Sequence, residues 1–444
     1  MGAFKAYDIR GIYGKEITED LAYRIGFFLP SLLEAKKVLV GRDVRLSSES
    51  LFHALANGIT DSGADVYDLG LATTPFVYFC TAMYGFGASV QITASHNPKE
   101  YNGFKVSRAG ALPVGYDTGL SDLEKRVADG VIVPSANRGR IVPFDKRQDY
   151  IDFFKPYLPE AGLTIAVDCS NGMASLLIKD ILGSSPVYIN DELDGSFPNH
   201  EPNPLEEKNV EQLSALVKRI GADIGIIYDG DGDRVVFTDE QGNFISPDLI
   251  VAVMGHYFLE KEKGNVLYDI RTSRSVTEYI EKLGGTPHMW KVGHAFAKVK
   301  LRELKAIYGG ELAGHYYFRD FFHCDSGILA SLIVLTVVGR MKKQCVAFSS
   351  LIRSIVKYAF SGEINFRIER KEEAMNSLLD ECTKREKPIA VYDFDGYRVE
   401  FPDWWFNVRP SNTEPYLRLV VEAKDATSLA QRLGELRAVL AAFQ

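Results

Sequence analysis

The sequence predicts an α/β protein with three similar α/β domains, each built on a mixed, mainly parallel sheet, and a C-terminal α+β domain. Three observations support this prediction. A strand–helix–strand pattern occurs three times along the chain, and a different alternation of strands and helices follows it. The chain has 444 residues, which is too long for a single hydrophobic core. Alternating strands and helices give mainly parallel sheets.

The three repeats share one plan: a short apolar strand that ends in Asp, a polar turn, a helix closed by Gly, and a second strand. Their first strands are predicted at Lys36–Asp43, Leu163–Asp168 and Gly264–Asp269. A further strand in each repeat is followed by a different polar motif. Ligands of open α/β sheets bind outside the carboxyl ends of strands, so we expect the three motifs to line one central cleft.

The C-terminal part departs from the repeat. Strands are predicted at residues 363–370, 397–401 and 417–424, with a helix after the first and another at the end of the chain. The predicted domains are residues 1–145, 146–246, 247–360 and 361–444.

Composition excludes several classes of partner. The net charge of −8 and the pI of about 5.6 argue against binding to nucleic acid or an anionic membrane. The five cysteines show neither zinc spacing nor a disulfide framework. The longest apolar run, Ile328–Val338, is shorter than the roughly 20 residues that span a bilayer, so it predicts a buried helix. The N-terminus lacks an apolar signal core, and we expect a cytoplasmic protein.

The first polar motif is Thr93–Lys105, TASHNPKEYNGFK. Ser95 lies on a strand-to-loop turn that can project its hydroxyl into a cleft, and His96 and Lys105 supply protonatable or cationic groups. A bare SHNP string would favour an ordinary polar turn. The length of the whole string favours a functional loop.

The second motif, DGDGDR, places Asp229, Asp231 and Asp233 on alternating residues after an apolar run. Three carboxylates offer hard oxygen ligands to one small cation, and the glycines let the backbone curl around it. An EF-hand is excluded because Arg234 occupies the position where that loop requires Gly, and because the flanks read as strands. A solvated acidic turn does not explain three carboxylates crowded after a buried strand.

Two further motifs give weaker evidence of a functional site when each is taken alone. Gly309–His315 is a glycine-rich loop with one carboxylate, Glu311, which can accept hydrogen bonds from sugar hydroxyls. Arg409–Pro415, with Arg418 nearby, combines a forked donor with small hydroxyl and amide donors, and so indicates an anion site.

These strings, with Ala6–Gly11 and Lys291–His294, occur in an order that resembles the α-D-phosphohexomutase superfamily over essentially the whole chain. The resemblance implies four domains around a central cleft. It also implies interconversion of hexose 1-phosphate and hexose 6-phosphate through a phosphoserine, with a hexose 1,6-bisphosphate as intermediate and activator.

The resemblance also assigns roles to individual residues. The catalytic residues would be Ser95 as the phosphoserine, with Arg10, His96, Lys105 and Arg234. One Mg²⁺ per chain would be bound by Ser95, Asp229, Asp231 and Asp233. The substrate would contact Tyr7, Arg271, Gly293, His294, Glu311, Ala313, His315, Arg409, Ser411, Asn412, Thr413 and Arg418. His96 or Lys105 would accept the proton of the substrate hydroxyl.

One residue departs from the superfamily pattern. The sugar loop usually reads Gly-Glu-x-Ser, whereas Ala313 occupies the last position here. The segment after it and Asn412 are similar to bacterial phosphomannomutases, which favours mannose phosphate, with glucose phosphate as the alternative.

Two other functions remain open: an aspartyl-phosphate phosphatase with Asp229 as nucleophile, and a non-catalytic sugar-phosphate sensor. The expected partners are small sugar phosphates, with neither nucleic acid nor membrane, and we expect a monomer or weak homodimer.

Overall fold

The computed structural model describes residues 2–411 and 416–444. The chain forms four domains, numbered I to IV from the N-terminus, each built around its own sheet. Single 3₁₀ turns occur in several connections, at Ala109–Ala111, Tyr116–Thr118, Lys155–Tyr157, Met173–Leu176 and Arg319–Phe321.

Domain I contains β1 Ile9–Ile12, α1 Glu19–Leu32, β2 Lys37–Arg42, α2 Ser48–Asp61, β3 Asp65–Leu71, α3 Thr74–Met83, β4 Ala88–Ile92, β5 Tyr101–Arg108, β6 Leu112–Pro113, α4 Leu120–Asp129 and β7 Ile141–Pro143. The sheet order is β1-β5-β4-β2-β3-β7, with β6 paired to β5. Strands β4, β2, β3 and β7 run parallel, whereas β1, β5 and β6 form antiparallel pairs.

Domain II contains α5 Arg147–Phe154, β8 Ile165–Asp168, α6 Ile178–Leu182, β9 Val187–Ile189, α7 Glu207–Ile220, β10 Ile224–Tyr228, β11 Val235–Thr238 and β12 Phe244–Ile245. The sheet order is β12-β11-β10-β8-β9. Strands β10, β8 and β9 are parallel, and β11 turns back as an antiparallel hairpin partner of β10.

Domain III contains α8 Pro247–Phe258, β13 Asn265–Asp269, α9 Arg274–Lys282, β14 Thr286–Trp290, α10 His294–Leu304, β15 Tyr308–Gly310, β16 Tyr316–Phe318, β17 Cys324–Asp325, α11 Gly327–Lys343 and α12 Phe348–Ile355. The sheet order is β14-β13-β15-β16-β17. Strands β14, β13 and β15 are parallel, and β16 is antiparallel to β15.

Domain IV contains β18 Ala359–Arg367, α13 Lys371–Arg385, β19 Ala390–Tyr392, β20 Tyr397–Glu400, β21 Trp404–Pro410, β22 Tyr416–Ala423 and α14 Ala426–Ala441. Its sheet, β18-β22-β21-β20-β19, is antiparallel throughout. The α+β prediction for the C-terminal part is confirmed.

The threefold repeat is also confirmed, because three sheets contain the same local order. The orders β3-β2-β4-β5, β9-β8-β10-β11 and β14-β13-β15-β16 are equivalent. In each, the last parallel strand is followed by an antiparallel partner. The connection between those two strands carries one of the three polar motifs, at residues 93–100, 229–234 and 311–315.

The hydrophobic core explains how these connections are held relative to one another. One cluster of buried apolar side chains runs through domains I, II and III, from Phe76 of α3 through Val235 of β11 to Leu332 of α11. The apolar run Ile328–Val338 lies within α11 and is buried, as predicted. Domain IV has a separate core around Phe406 and Leu419. Among the described residues, every helix is too short or too polar to cross a bilayer.

Candidate active site

The turn after β4 presents the side chain of Ser95 to domain II. Ser95 is fully buried, and its φ of 53° lies in the left-handed region that is costly for a residue with a Cβ atom. Its backbone N–H donates to Oγ1 of Thr93 at 2.8 Å. Its hydroxyl donates to Oδ2 of Asp229 at 2.8 Å. The strained turn therefore aims the hydroxyl out of its own domain.

The β10–β11 hairpin gathers three buried carboxylates. One oxygen each of Asp229, Asp231 and Asp233 lies within 4.8 Å of the others, and all three side chains have no exposed surface. Glycine makes the approach of the two loops possible, because a Cβ atom on Gly230 would lie 2.5 Å from the carbonyl oxygen of Ser95.

These carboxylates are incompletely compensated by the protein. Nζ of Lys105 donates to Oδ2 of Asp231 at 2.7 Å and to Oδ2 of Asp233 at 2.5 Å. The Oδ1 atoms of both aspartates are buried without a hydrogen-bond partner. Burial and the two neighbouring carboxylates raise the pKa of Asp229 well above its usual value. Hard oxygen donors left unpartnered beside one another are suited to Mg²⁺, so the residues fit the predicted ion.

A chain of side-chain contacts between charged and polar residues connects this loop to domain III. Nε of Arg234 lies 3.9 Å from Oδ2 of Asp229 and donates to Nε2 of His315 at 3.0 Å. Nδ1 of His315 lies 2.8 Å from Oδ2 of Asp325, although the angle departs from that of a hydrogen bond. The fully buried Nζ of Lys298 lies 2.8 Å from the other Asp325 oxygen. The His315 imidazole is thus fixed on both sides.

His96 and Arg10 lie on the domain I side of Ser95. Nδ1 of His96 is 3.5 Å from the Ser95 hydroxyl oxygen. Burial, followed by the positive charges of Arg234 and Arg10, lowers the pKa of His96 well below its usual value. Nη1 of Arg10 donates to Oδ1 of Asn97 at 2.7 Å, which places this guanidinium against the serine turn.

The glycine-rich loop of domain III brings several predicted substrate residues together. Oε1 of Glu311 accepts from the hydroxyl of Tyr317 at 2.7 Å, and Oε2 accepts from the backbone N–H of Gly293 at 3.1 Å. Burial raises the pKa of Glu311. The half-buried Ala313 lies in the β15–β16 turn.

One aromatic residue of domain I, Tyr7, packs against the loop of residues 291–294 in domain III. The hydroxyl of Tyr7 donates to the carbonyl of Val292 at 3.1 Å. Its ring centroid lies 6.0 Å from that of His294, whose ring is 5.6 Å from that of His315. The predicted contacts Tyr7, Gly293, His294 and His315 are therefore neighbours.

A cluster of three guanidinium groups joins domains III and IV. Asp269 holds Arg271 through Nε to Oδ1 at 3.2 Å and Nη2 to Oδ2 at 2.7 Å. In β18, Oε2 of Glu363 lies 3.0 Å from Nη1 of Arg271 and 3.4 Å from Nη2 of Arg409. Oε1 of the same carboxylate lies 3.0 Å from Nη1 of Arg418. Burial raises the pKa of Glu363, but the three arginines outweigh it and hold the pKa at about 2.

This arginine cluster is connected to the sugar loop. The backbone N–H of Leu312 donates to Oδ2 of Asp269 at 2.8 Å. The N–H of Ser411, at the start of the predicted phosphate loop, donates to the carbonyl of Tyr416 at 2.8 Å. Asn412 and Thr413, also predicted to contact the substrate, lie outside the described residues.

Sequence reasoning missed several residues that support these groups. Thr74 donates to Asp231 from the start of α3, whose Thr73 caps the helix by accepting from the N–H of Phe76. Asp325 and Glu363 carried no distinctive motif. Both pair with groups more than nine residues away, which only folding brings close.

Fold and site together define a class of protein: a four-domain enzyme of sugar-phosphate chemistry, in which a buried serine and an acidic loop of adjacent domains meet. Four domain profiles of one family match the chain in order. They are described as phosphoglucomutase/phosphomannomutase alpha/beta/alpha domain I over residues 1–130, domain II over 148–242, domain III over 246–357, and the C-terminal domain over 363–439. The chain belongs to the phosphoglucomutase/phosphomannomutase family.

Full-length relatives agree with this assignment. The phosphomannomutase of Escherichia coli K12 is 39% identical over 443 residues, which is 96% of each chain. The phosphomannomutase of Methanocaldococcus jannaschii is 36% identical over 446 residues, covering 99% of this chain and 97% of its own.

Solved structures show the same architecture. A phosphoglucomutase/phosphomannomutase family protein from Burkholderia thailandensis is 31% identical, with a TM-score of 0.89 over 99% of this chain and 97% of its own. An N-acetylphosphoglucosamine mutase of Aspergillus fumigatus, in complex with GlcNAc-6P and magnesium, has a TM-score of 0.58 over 91% of this chain and 82% of its own. At 14% identity, that second likeness shows the fold alone.

Proposed function

We propose that this enzyme interconverts hexose 1-phosphate and hexose 6-phosphate through phosphorylated Ser95, with mannose phosphate as its main substrate. One observation carries the proposal: the Ser95 hydroxyl lies 2.8 Å from the first of three buried, clustered carboxylates of another domain. A hydroxyl held beside a cation site is suited to accept and return a phosphoryl group.

Asp229, Asp231 and Asp233 would hold one Mg²⁺ per chain, together with the phosphate on Ser95. Bound there, the ion would offset the negative charge of the transferring group. Lys105 bridges two of the three carboxylates, so it keeps the loop compact and adds a further positive charge beside the phosphate.

In the first half-reaction, the hydroxyl at O1 or O6 of the substrate attacks the phosphorus. The bond from Oγ of Ser95 to phosphorus breaks, and the hydroxyl proton passes to a base. Of the two bases predicted from the sequence, Lys105 is engaged by carboxylates and His96 lies among cations. His315 is a third candidate, because Asp325 orients its ring through Nδ1 and Nε2 can accept the proton when the substrate hydroxyl takes the place of the Arg234 donor.

The product of this step is a hexose 1,6-bisphosphate, which turns around and returns its other phosphoryl group to Ser95. The distal phosphate must be held in both orientations. Arg271, Arg409 and Arg418 suit this task, since forked donors recognise phosphate geometry whichever carbon bears it. The separate core of domain IV allows it to open while the bisphosphate reorients.

Full-length relatives with 36–40% identity that are named phosphomannomutase support mannose phosphate. Ala313 in the sugar loop keeps glucose phosphate as the alternative substrate, because one hydroxyl contact to the sugar is absent. The match of all four domains to the phosphoglucomutase/phosphomannomutase family supports a small phosphosugar as ligand. The five free thiols agree with a cytoplasmic location, and we propose a monomer or weak homodimer, to be checked by light scattering.

The test is a pair of coupled assays with mannose 1-phosphate and glucose 1-phosphate, each with trace hexose 1,6-bisphosphate and Mg²⁺. We expect turnover of both and a higher kcat/KM for mannose 1-phosphate. Ser95→Ala should abolish turnover and remove the phosphate found on that peptide by mass spectrometry. Ser107→Ala, a buried serine of β5, is the matched control.

Three outcomes would contradict the proposal in different ways. Phosphate on Asp229 instead of Ser95 would indicate a phosphatase. Binding of both sugars without turnover would indicate a sensor. A higher kcat/KM for glucose 1-phosphate would leave the mutase reaction in place and reverse the substrate preference.

A further inference from the structure

Arg45, in the turn between β2 and α2, is buried against the serine loop. Its side chain has no exposed surface. Nη1 donates to the carbonyls of Pro98 at 2.7 Å and Tyr101 at 3.0 Å. Nη2 donates to the carbonyls of Ser95 at 2.8 Å and Asn97 at 2.6 Å. One guanidinium group therefore binds four backbone carbonyls of the loop that carries Ser95.

The remaining donor of Arg45 is also satisfied. Nε donates to Oδ2 of Asp43 at 3.1 Å, and the backbone N–H of Arg45 donates to Oδ1 of the same carboxylate at 3.0 Å. Asp43 is itself held by the hydroxyl of Ser48 at 2.6 Å. Every N–H group of the guanidinium thus has an acceptor, and its position is fixed from the β2 side.

The serine loop needs such a partner because it lies between β4 and β5 without ladder hydrogen bonds of its own. The Ser95 carbonyl that Arg45 binds is buried, and a buried carbonyl without a partner is costly. Ser95 has a left-handed backbone conformation that only surrounding contacts can maintain. The planar guanidinium group of arginine has five N–H donors in a fixed geometry, so it can hold several carbonyl oxygens in defined positions. A lysine ammonium group, which is a compact point charge, cannot do this.

Arg45 also lies at the junction with the domain that carries the acidic loop. Its guanidinium carbon is 5.1 Å from the ring centroid of Phe197 in domain II. A Cβ atom on Gly195 would lie 2.2 Å from the carbonyl oxygen of Val44, so the two backbones touch here. The group that fixes the serine loop is therefore itself fixed against domain II.

We propose that Arg45 is a positioning residue that holds the Ser95 hydroxyl in register with the acidic loop. The inference rests on the proposed role of Ser95. Arg45 acts through the backbone of the loop, while the distal phosphate is bound by arginines of domains III and IV. Its loss should therefore change the rate of phosphoryl transfer and leave substrate affinity largely unchanged.

The experiment compares Arg45→Lys and Arg45→Ala with wild type at a temperature where circular dichroism shows all three folded. We expect kcat to fall about 100-fold, since small misplacements of reacting groups have effects of this size, with KM changed less than about threefold. Phosphorylation of Ser95 by hexose 1,6-bisphosphate, followed by intact mass, should slow by a similar factor. Methylguanidinium should restore part of the kcat of Arg45→Ala.

Arg24→Ala is the matched control. Arg24 also donates to backbone carbonyls of a domain I segment, those of Val127 at 2.5 Å and Gly130 at 2.9 Å, away from Ser95. We expect a lower Tm, an unchanged kcat and no rescue by methylguanidinium.

If the Arg45 variants do not fold, the Asp43→Asn variant tests the inference instead. This substitution removes the negative charge that holds the Arg45 guanidinium and keeps the size and shape of the side chain at position 43. A fall in kcat at constant KM supports the inference, and an unchanged kcat overturns it. If the Arg45 variants fold and their kcat stays within threefold of wild type while Ser95→Ala is inactive, the inference about Arg45 is overturned and the proposed function stands. An active Ser95→Ala overturns the proposed function.

Discussion

The hydroxyl of Ser95 donates to a carboxylate oxygen of Asp229, 134 residues further along the chain, across a distance of 2.8 Å. The two residues belong to equivalent connections of two repeated domains. Each follows the strand that pairs in parallel with the first strand of its own repeat. The repetition of one βαβ unit thus places a buried serine hydroxyl and an acidic loop against each other.

Removal of the divalent cation should abolish turnover. After treatment with EDTA we expect at least about a 100-fold loss of kcat, restored by Mg²⁺, because three buried carboxylates, compensated only in part by Lys105, would face the phosphate. Saturating Mg²⁺ at 100 times its Kd should stabilise the folded state by about 2.7 kcal/mol, seen as a higher Tm. Asp231→Asn should lose this shift, whereas the exposed Asp122→Asn should retain it. Full activity in EDTA would contradict the metal assignment.

His315→Gln should lower kcat by about 100-fold, and His96→Gln by about tenfold or less. Asp325 orients His315 through Nδ1, and Nε2 can accept the proton when the substrate hydroxyl replaces the Arg234 donor, whereas His96 only approaches the Ser95 oxygen at 3.5 Å. Single-turnover transfer from the phosphoenzyme to hexose 1-phosphate measures the step directly. The reverse order of the two losses would make His96 the proton acceptor.

Glu363→Gln should reduce the acid sensitivity of stability. The folded pKa of Glu363 is about 2, below its usual value of 4.5, so its contribution is present above pH 4.5 and is lost as the pH falls towards 2. The shift in pKa corresponds to at most about 3–4 kcal/mol of stability. Calorimetry should show a lower Tm for the variant above pH 5 and a difference that shrinks towards pH 2. Glu260→Gln, an exposed ion-pair partner, should track wild type throughout.

Ala313→Ser should raise kcat/KM for the preferred hexose phosphate by about two- to thirteenfold, which corresponds to one added hydrogen bond of roughly 0.5–1.5 kcal/mol. Ala313 is half-buried in the β15–β16 turn, two residues after Glu311. Steady-state assays with both hexose 1-phosphates measure the effect. The exposed Ala109→Ser is the control, and an unchanged kcat/KM would show that the missing hydroxyl has no part in sugar recognition.

Much of the architecture was predicted from local pattern. The first strands of the repeats were predicted at residues 36–43, 163–168 and 264–269, and the structure has them at Lys37–Arg42, Ile165–Asp168 and Asn265–Asp269. In the second repeat, residues 170–183 were predicted as a polar turn and one helix closed by Gly, but the helical part forms a 3₁₀ turn and the short helix α6. Apolar periodicity reports which face is buried, and it leaves the length of a helix open.

The sequence by itself determined the repeated βαβ units, the polar motif after the last parallel strand of each repeat, and membership of the family. Each of these features depends on residues that are close together in the chain. Only the tertiary structure decided that Glu363 joins three arginines, that Asp325 orients His315, and that Arg45 binds the serine loop. Asp325 and His315 lie in one domain, as do Arg45 and the serine loop, whereas Glu363 reaches Arg271 across the boundary of two domains. In each case the partners are brought together by tertiary folding, and contacts between residues far apart in the chain leave no local periodicity to read.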